Sequence, residues 1–423
     1  MSPCDVTVIG AGPAGCATAL FLAQAGWSVE VLDQARFPRD KVCGEFISPA
    51  ADPLLEQLGV LARLEAVPPV RLKGVAFSAY GGPELLIPYP PWPGGPEPVT
   101  SLSLPRLTFD RILTERLSEA GVRLKEGFKV TALNVHQGRV TGVQGFDAER
   151  TPFKQPARLV IDAGGRQAVS VRQFQARRRE GRGRKIALAA HWQNAAVPEA
   201  YCYMHISPPG YTGLSPVPGG LCNLVLVLDQ AAVGTSDREA LYRRVVRSNP
   251  RRRAFLEQAE PVEPVRSVDS LAFGVAPPPV DGLMRVGDAM GFIDPFTGEG
   301  IFLALRSAQL AAGVAGEALH QGDLSRRRLL VYEQRREEEF RKKFLLSRIL
   351  QFLIYNQPLC RGVAGLLAER PDLARTLVGV IGDYLPAGRV VGWRYLAQCL
   401  GEIPRLGWGR AWPIQKGQPG LKS

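Results

Sequence analysis

The sequence predicts an α/β fold: a Rossmann-like domain assembled from separated pieces, a mostly β domain inserted between them, and a helical section at the end. Three observations carry this. A β-branched run, Val6 to Ile9, enters Gly10-x-Gly12-x-x-Gly15 and then an apolar helical pattern. Two more strand patterns, one running into Asp162-Ala163-Gly164-Gly165 and one into Gly287-Asp288, recur far downstream. Between them, from about 186 to 229, the segments KIALAAHWQ, AYCYMHIS and GGLCNLVLVLD are rich in β-formers.

In the N-terminal unit, small and apolar residues continue at helical spacing through Ala17, Leu20, Phe21, Leu22 and Ala25. Gly26 reads as the helix stop, and 27–32 as a second strand closed by Asp33. This strand–turn–helix–strand context makes the glycine pattern a dinucleotide-binding fingerprint. Gly10 is expected to make the tight turn, Gly12 to admit a pyrophosphate to the backbone, and Gly15 to permit close helix–strand packing. Pro13 and Ala14 open the helix, whose unpaired N–H groups and positive dipole end face the phosphates. Asp33 is placed to accept a hydrogen bond from a ribose hydroxyl.

A length of 423 residues suggests two to three domains, and 45% hydrophobic with 22% charged residues suits a globular chain with a sizeable core. The N-terminal apolar stretch has no basic leader, so no secretory signal is expected. No uninterrupted run reaches the roughly 18 to 20 apolar residues that span a bilayer. The seven cysteines (4, 16, 43, 202, 222, 360 and 399) are scattered with no CxxC pair, and the four histidines do not cluster at ligand spacing. Neither a disulfide framework nor a metal site is expected, and a reducing, cytoplasmic setting is the default. The net charge of +12 is concentrated at 177–185, 243–253 and 326–343. No recognised nucleic-acid fold or aromatic platform accompanies these runs, so nucleic acid is not expected; an anionic membrane surface and plain solvated surface are the readings left.

Along the chain, Phe37-Pro38 reads as loop, and Ser48-Pro49 as the N-cap and first-turn proline of a helix through Leu54, Leu55 and Leu58. Residues 70–104 hold short β-like runs broken by PYPPWPGGPEP. An amphipathic helix with Phe109, Ile112, Leu113 and Leu117 follows, then strands at 122–124 and 128–133 and more across 139–165. Residues 236–258 read as a basic-faced helix, RSVDSLAFG as a strand, and the chain beyond 325 as helical.

The fingerprint, LPRLTFDRIL (104–113), VIDAGGRQAVSVR (160–172) and RVGDAMGFIDPFTGEGIFLAL (285–305) together resemble the p-hydroxybenzoate hydroxylase superfamily of FAD enzymes, over roughly residues 1 to 325. Within it, CGEFISP (43–49) and GYTGLSPVPGG (210–220) are most similar to the geranylgeranyl reductase family and the related flavin-dependent halogenases. The resemblance implies FAD as cofactor, reduced by NAD(P)H or another external donor. It implies an FAD-binding domain at 1–75, 100–170 and 271–325, a β-rich substrate domain at 76–99 and 185–270, and a helical C-terminal region at 326–423. Asp288, after Gly287, is then implied to accept from a ribityl hydroxyl, and Gly298, Gly300 and Ile301 to open a helix facing the pyrimidine edge of the flavin. Arg106 is implied as an FAD contact, the Val130 backbone as a contact on the adenine side, and Gly164 as part of the cofactor motif. Cys43 and Gly44 are implied beside the isoalloxazine ring. For Cys43 a cofactor-lining role is expected over a redox or nucleophilic one, since no neighbouring histidine is readable to lower its pKa. Arg39 and Lys41 are candidate phosphate or flavin contacts.

Absences narrow the chemistry. There is no second G-x-G-x-x-G, so a separate NAD(P)H domain of the glutathione reductase type is not expected. GYTGLSPVP stands where halogenases carry W-x-W-x-I-P, and Lys73, in VRLKGVAF, matches the halogenase lysine poorly. The Y-x-W-x-F-P signature of archaeal geranylgeranyl reductases is not intact either. Tyr211 either lines the substrate pocket or packs, and no histidine or carboxylate pair stands out as an acid or base. The expected function is reduction of a C=C bond in a hydrophobic, isoprenoid or lipid-like substrate by an FAD-dependent oxidoreductase. The alternative is a monooxygenase acting on an aromatic or polyketide-like substrate. In the C-terminal region Leu345, Leu346, Ile349, Leu350, Phe352, Leu353 and Ile354 cover more than one helix face. That segment either packs over the substrate domain and closes a hydrophobic pocket, or makes peripheral membrane contact with Arg341, Lys342 and Lys343 near lipid phosphates.

Overall fold

The structure, a computed structural model, describes residues 4–68, 70–179, 185–198, 200–234, 237–271, 273–292, 295–392 and 395. Strand Val6–Ile9 is buried along its whole length, as the centre of a helix-covered parallel sheet must be. It pairs in parallel with Val29–Asp33 on one side (Val6 opposite Val29) and with Leu159–Asp162 on the other (Val6 opposite Leu159). Leu283–Arg285 and Arg123–Glu126 complete the five strands at its two edges. The glycine turn, the Asp162 turn and the Gly287-Asp288 turn therefore all leave the carboxyl ends of adjacent strands. That is where open α/β sheets bind ligands. Helices Pro13–Gln24 and Gly300–Gln321 pack together through small side chains, among them Ala14, Ala17, Ala304 and Ala308.

A second, larger sheet holds eight strands. Lys185–Gln193, Leu221–Asp229, Gly210–Val217 and Tyr201–Ser207 run antiparallel in that order, and Gly74–Ala79 joins parallel to Tyr201–Ser207. Leu85–Pro88, Arg266–Leu271 and Glu260–Pro261 complete it. The motif segment 210–217 is thus itself a strand, and Gly74–Ala79 starts just ahead of residue 76. The expected helix over 236–258 is two helices, Arg238–Ser248 and Pro250–Phe255. Asn249 breaks them: its side chain accepts from the N–H groups of Arg251 and Arg252, and Pro250 has no N–H with which to continue the first helix. After Ser48 the chain makes a 3-10 turn, Pro49–Ala51, before the short helix Asp52–Gln57, and Ser48 forms no side-chain cap.

The C-terminal region is built of Arg326–Ile354, Gln357–Glu369, Pro371–Ile381 and the short Gly388–Val391. Asn356 and Pro358 restart the helix rather than merely interrupting it, with Asn356 Oδ1 accepting from the N–H of Leu359. These helices pack on the large sheet in one apolar cluster that includes Ile87, Cys202, Leu350, Leu367 and Val378. Arg184, Cys399 and the expected C-terminal stretch 396–423 lie outside the described residues.

Candidate functional site

Sterics fix the turn after the first strand. Gly10 has φ of 96°, and a Cβ there would come within 2.8 Å of the Ala163 carbonyl oxygen. A Cβ on Gly15 would overlap the Gly10 carbonyl. No side chain caps helix Pro13–Gln24 at Gly12, so its first-turn N–H groups are left for an anion. The Asp33 carboxylate reaches back to this turn, with Oδ2 accepting from Ala11 N at 2.7 Å and Oδ1 from Ala35 N at 2.8 Å. It braces the loop, and each oxygen keeps a further lone pair for a ribose hydroxyl.

Positive charge gathers next to this turn. Arg106 is buried and donates through Nε and Nη2 to the two oxygens of Asp110, at 2.9 and 2.7 Å, and Arg39 reaches Asp110 Oδ2 at 2.9 Å. Lys41, Arg106, Arg166 and Asp288 line one cavity with residues 12–14 and 298–301. Burial and the charge of Arg106 lower the Lys41 pKa, against the pull of Asp288. Burial raises that of Asp288, against Lys41, Arg166 and Arg106. With Asp110 already committed to Arg106 and Arg39, the balance here is cationic and suits a diphosphate. Gly44 and Gly300 face open space, since a Cβ on either would meet no heavy atom within 4 Å. Both line the cavity, and neither fills it with a side chain, so the backbone at each is open to a flat ring.

The cavity measures about 500 Å³ and continues beyond these two glycines. Its far walls are apolar: Val75, Phe77 and Val227 from the large sheet, and Leu350, Val363 and Val378 from the C-terminal helices. Tyr211 is on the wall, buried, its ring edge-on to Phe296 at 5.1 Å.

A family model described as an FAD binding domain matches residues 3–343. The chain belongs to this FAD-binding family. It is 30% identical to the menaquinone reductase of Mycolicibacterium smegmatis over 73% of this chain and 75% of the relative. It is 26% identical to the 1H-pyrrole-2-carbonyl-[peptidyl-carrier protein] chlorinase of Pseudomonas fluorescens over 78% and 79%. It is 27% identical to digeranylgeranylglycerophospholipid reductase 2 of Methanopyrus kandleri over 80% and 84%. A flavoprotein/dehydrogenase of Cytophaga hutchinsonii has the same fold, with a TM-score of 0.83 at 20% identity over 96% of this chain and all of that one. The protein is an FAD-dependent oxidoreductase, and the resemblance to geranylgeranyl reductases and flavin-dependent halogenases holds.

Within this FAD-binding fold, Gly12, Pro13, Ala14, Cys43, Gly44, Arg106, Tyr211, Gly287, Asp288, Gly298, Gly300 and Ile301 all reach the cavity wall. Gly10, Gly15 and Asp33 stand behind it and shape it. Gly164 does not reach it: its N–H donates to Asp162 Oδ1 at 2.9 Å, and Gly165 takes the lining position. Val130 also falls away from the wall. It is buried with Ile9 and Leu32, and its backbone sits in the ladder opposite Gly145. Lys73 is exposed and off the cavity. The Cys43 thiol accepts from Glu45 N at 3.3 Å; burial raises its pKa in spite of Arg106 and that N–H, so it keeps its proton.

Two charged clusters were not readable from the sequence. In the first, His191 lies off the cavity wall between two carboxylates: Nε2 is 2.8 Å from Glu45 Oε2 and Nδ1 is 2.7 Å from Glu263 Oε1. Burial works against its charge, but hydrogen bonds and charge from Glu45 and Glu263 outweigh that and raise its pKa to about 9. Arg266 donates to Glu263 at 2.8 Å and to Asp40 at 2.7 Å. The donor atoms of Asp40, His191 and Glu263, all within 4.8 Å of one another, are therefore balanced by a guanidinium. Lys343, which the membrane-contact alternative sets near lipid phosphates, is buried. It pairs with Asp383, lies 3.7 Å from Glu299 Oε2 and donates to the Val380 carbonyl at 3.2 Å. Only the C-G-E motif hinted at the first cluster, through its carboxylate; nothing in the basic run 326–343 marks Lys343 as different.

Proposed function

We propose that this enzyme reduces a carbon–carbon double bond in a long apolar substrate of the prenyl-chain type, with electrons from NAD(P)H or another external donor. The observation that carries the reading is the cavity: a polar, cationic end for the cofactor runs on into mostly apolar walls, to which the long C-terminal helix adds Arg336, Glu337, Ser347 and Arg348 as polar groups. Two relatives support it by name, since menaquinone and a digeranylgeranylglycerophospholipid both bear prenyl chains. Bound FAD, once reduced, would supply a hydride to one alkene carbon, with a proton drawn from water for the other, so that the double bond becomes single. The chain's own residues do the rest. The open helix end at residues 12–14 and Lys41 would hold the diphosphate, and Asp288 would accept from the ribityl chain. The positive N-terminal end of helix Gly300–Gln321, which opens on the cavity, would stabilise negative charge on the reduced ring. Cys43 Sγ holds a proton at the wall, and Tyr211 with the C-terminal helices shapes the hydrocarbon end and excludes water.

The test is reoxidation of the photoreduced enzyme under strict anaerobiosis. A prenylated quinone or lipid that returns the flavin to its oxidised form without oxygen, with loss of one double bond by mass spectrometry, is the expected result. Reoxidation that needs oxygen and yields a hydroxylated or halogenated aromatic product sinks the proposal. It would favour the second reading, which draws on the similarity to the carrier-protein chlorinase.

The same reading gives the substrate a source. Among the described residues no helix is long and apolar enough to cross a membrane. The outer face of the C-terminal helices nevertheless exposes Leu345 (48%), Phe352 (64%), Tyr355 and Leu359 beside Arg341, Lys342, Arg348 and Arg361. Residues 341–368 contain no acid. An apolar and cationic surface of this kind suits peripheral contact with an anionic bilayer. Co-sedimentation with anionic but not neutral vesicles, lost in Phe352→Glu, is the expected outcome.

A further inference from the structure

Residues 39–45 have no regular secondary structure, yet they carry Lys41, Cys43 and Gly44 to the cavity wall. The segment ends on Glu45 at φ of 56°, a left-handed conformation that a residue with a side chain keeps only when its surroundings hold it there. The hold comes largely from the substrate sheet. His191 and Asn223 stand directly opposite each other on the antiparallel strands Lys185–Gln193 and Leu221–Asp229. Asn223 Nδ2 donates to the Cys43 carbonyl at 2.8 Å, and His191 Nε2 meets Glu45 Oε2 at 2.8 Å. One cross-strand pair therefore grips the segment on both sides of Gly44, the residue that faces open cavity.

The cofactor domain completes the clamp. Arg106 N donates to Glu45 Oε1 at 3.0 Å, and Leu104 N to the Glu45 carbonyl at 3.1 Å. On its other side His191 is backed by Glu263, which Arg266 ties to Asp40 of the same segment. Of these charges Glu45 is buried and His191 is nearly so, while Glu263, Arg266 and Asp40 reach solvent. Taking charge out of water is an inefficient way to add stability, because hydrocarbon of equal volume usually does as well or better. What the set provides is a single position for Cys43 and Gly44.

We propose that His191 and Asn223 are positioning residues that set the Cys43-Gly44 segment against the flavin ring and so couple the substrate sheet to the cofactor. This rests on the FAD site and not on the prenyl-chain reading, so either can fail alone.

The test compares holoenzymes of wild type, His191→Leu, Asn223→Leu and the conservative His191→Gln, which keeps a donor towards Glu45. Maleimide labelling mapped by mass spectrometry reads Cys43, while buried Cys202 and Cys222 report general loosening. The leucine variants should label Cys43 about tenfold faster than wild type, the scale of one lost charge-assisted hydrogen bond, with Cys202 and Cys222 unchanged. The visible band of bound FAD should shift and its reduction potential move, and His191→Gln should restore most of each change. Labelling and flavin spectra that match wild type in the leucine variants would overturn the proposal. So would a rise at Cys43 that Cys202 and Cys222 share, because that is what a merely structural role gives.

Discussion

Lys343 and Glu299 meet at the cavity wall, ammonium to carboxylate at 3.7 Å, although one belongs to the long C-terminal helix Arg326–Ile354 and the other to the 298–301 segment that lines the cavity. Asp383, at the end of helix Pro371–Ile381, joins them through its ion pair with Lys343. The helical region is thus tied electrostatically to the 298–301 segment of the cavity wall as well as packed over the sheet. Burial lowers the Lys343 pKa against the pull of Glu299, and raises that of Glu299 against the pull of Lys343, so each supports in the other the charge that burial opposes.

Removing the lysine leaves two buried carboxylates without their cation. Lys343→Met is expected to destabilise the protein by about 3–5 kcal/mol and to weaken FAD binding through the 298–301 loop. Adding Asp383→Asn should return part of both losses. Thermal unfolding and FAD titration of the two variants check this, and a single variant as stable as wild type contradicts it.

Arg106 offers a cleaner probe of cofactor affinity, because Asp110 keeps Arg39 as a partner when Arg106 is lost. Arg106→Leu should retain its fold and raise the dissociation constant for FAD by about ten- to a hundredfold, the scale of a charge-assisted contact to a cofactor. Quenching of flavin fluorescence measures it.

His191 makes stability depend on pH in a defined direction. Its pKa is about 9 when folded and 6.5 as the ordinary value, so the folded state binds the proton more tightly. Its contribution is fully present below pH 6.5, declines from there, and is lost as pH rises through 9. Urea midpoints for wild type should exceed those for His191→Gln at the acid end of this window and converge at the alkaline end. A constant difference across the window counts against the charged cluster.

Val378 lines the far end of the cavity. Val378→Trp should fill that end and raise KM for a long prenyl substrate about tenfold or more, on the scale of a few lost methylene contacts. A substrate with one isoprene unit should be much less affected, and FAD affinity should not change. Equal loss for long and short substrates would place the chain elsewhere.

How much of this was legible in the sequence follows from what each feature depends on. The fingerprint and the Gly287-Asp288 segment could be read because sterics among near neighbours specify them: Gly10 needs its positive φ, and Gly15 cannot carry a side chain. The break at Asn249-Pro250 was also local, and was hidden only by the helical period running through it. Gly164 and Val130 lie off the cavity wall, with Gly165 lining it beside Gly164; one residue along a turn decides whether a backbone faces the cavity or the core, and motif matching does not resolve that.

By itself the sequence determined the cofactor class, the α/β core and the apolar character of the C-terminal segment, because composition and short-range backbone geometry suffice for these. The tertiary structure alone decided that Glu45 meets His191, 146 residues away, and that Lys343 leaves the basic surface run to sit between Glu299 and Asp383. It also decided that the C-terminal helices form one wall of the cavity while exposing a cationic, apolar outer face. Those outcomes rest on which strands pair and which helix faces turn inward. Buried charges find partners through folded distance, and spacing along the chain does not encode it.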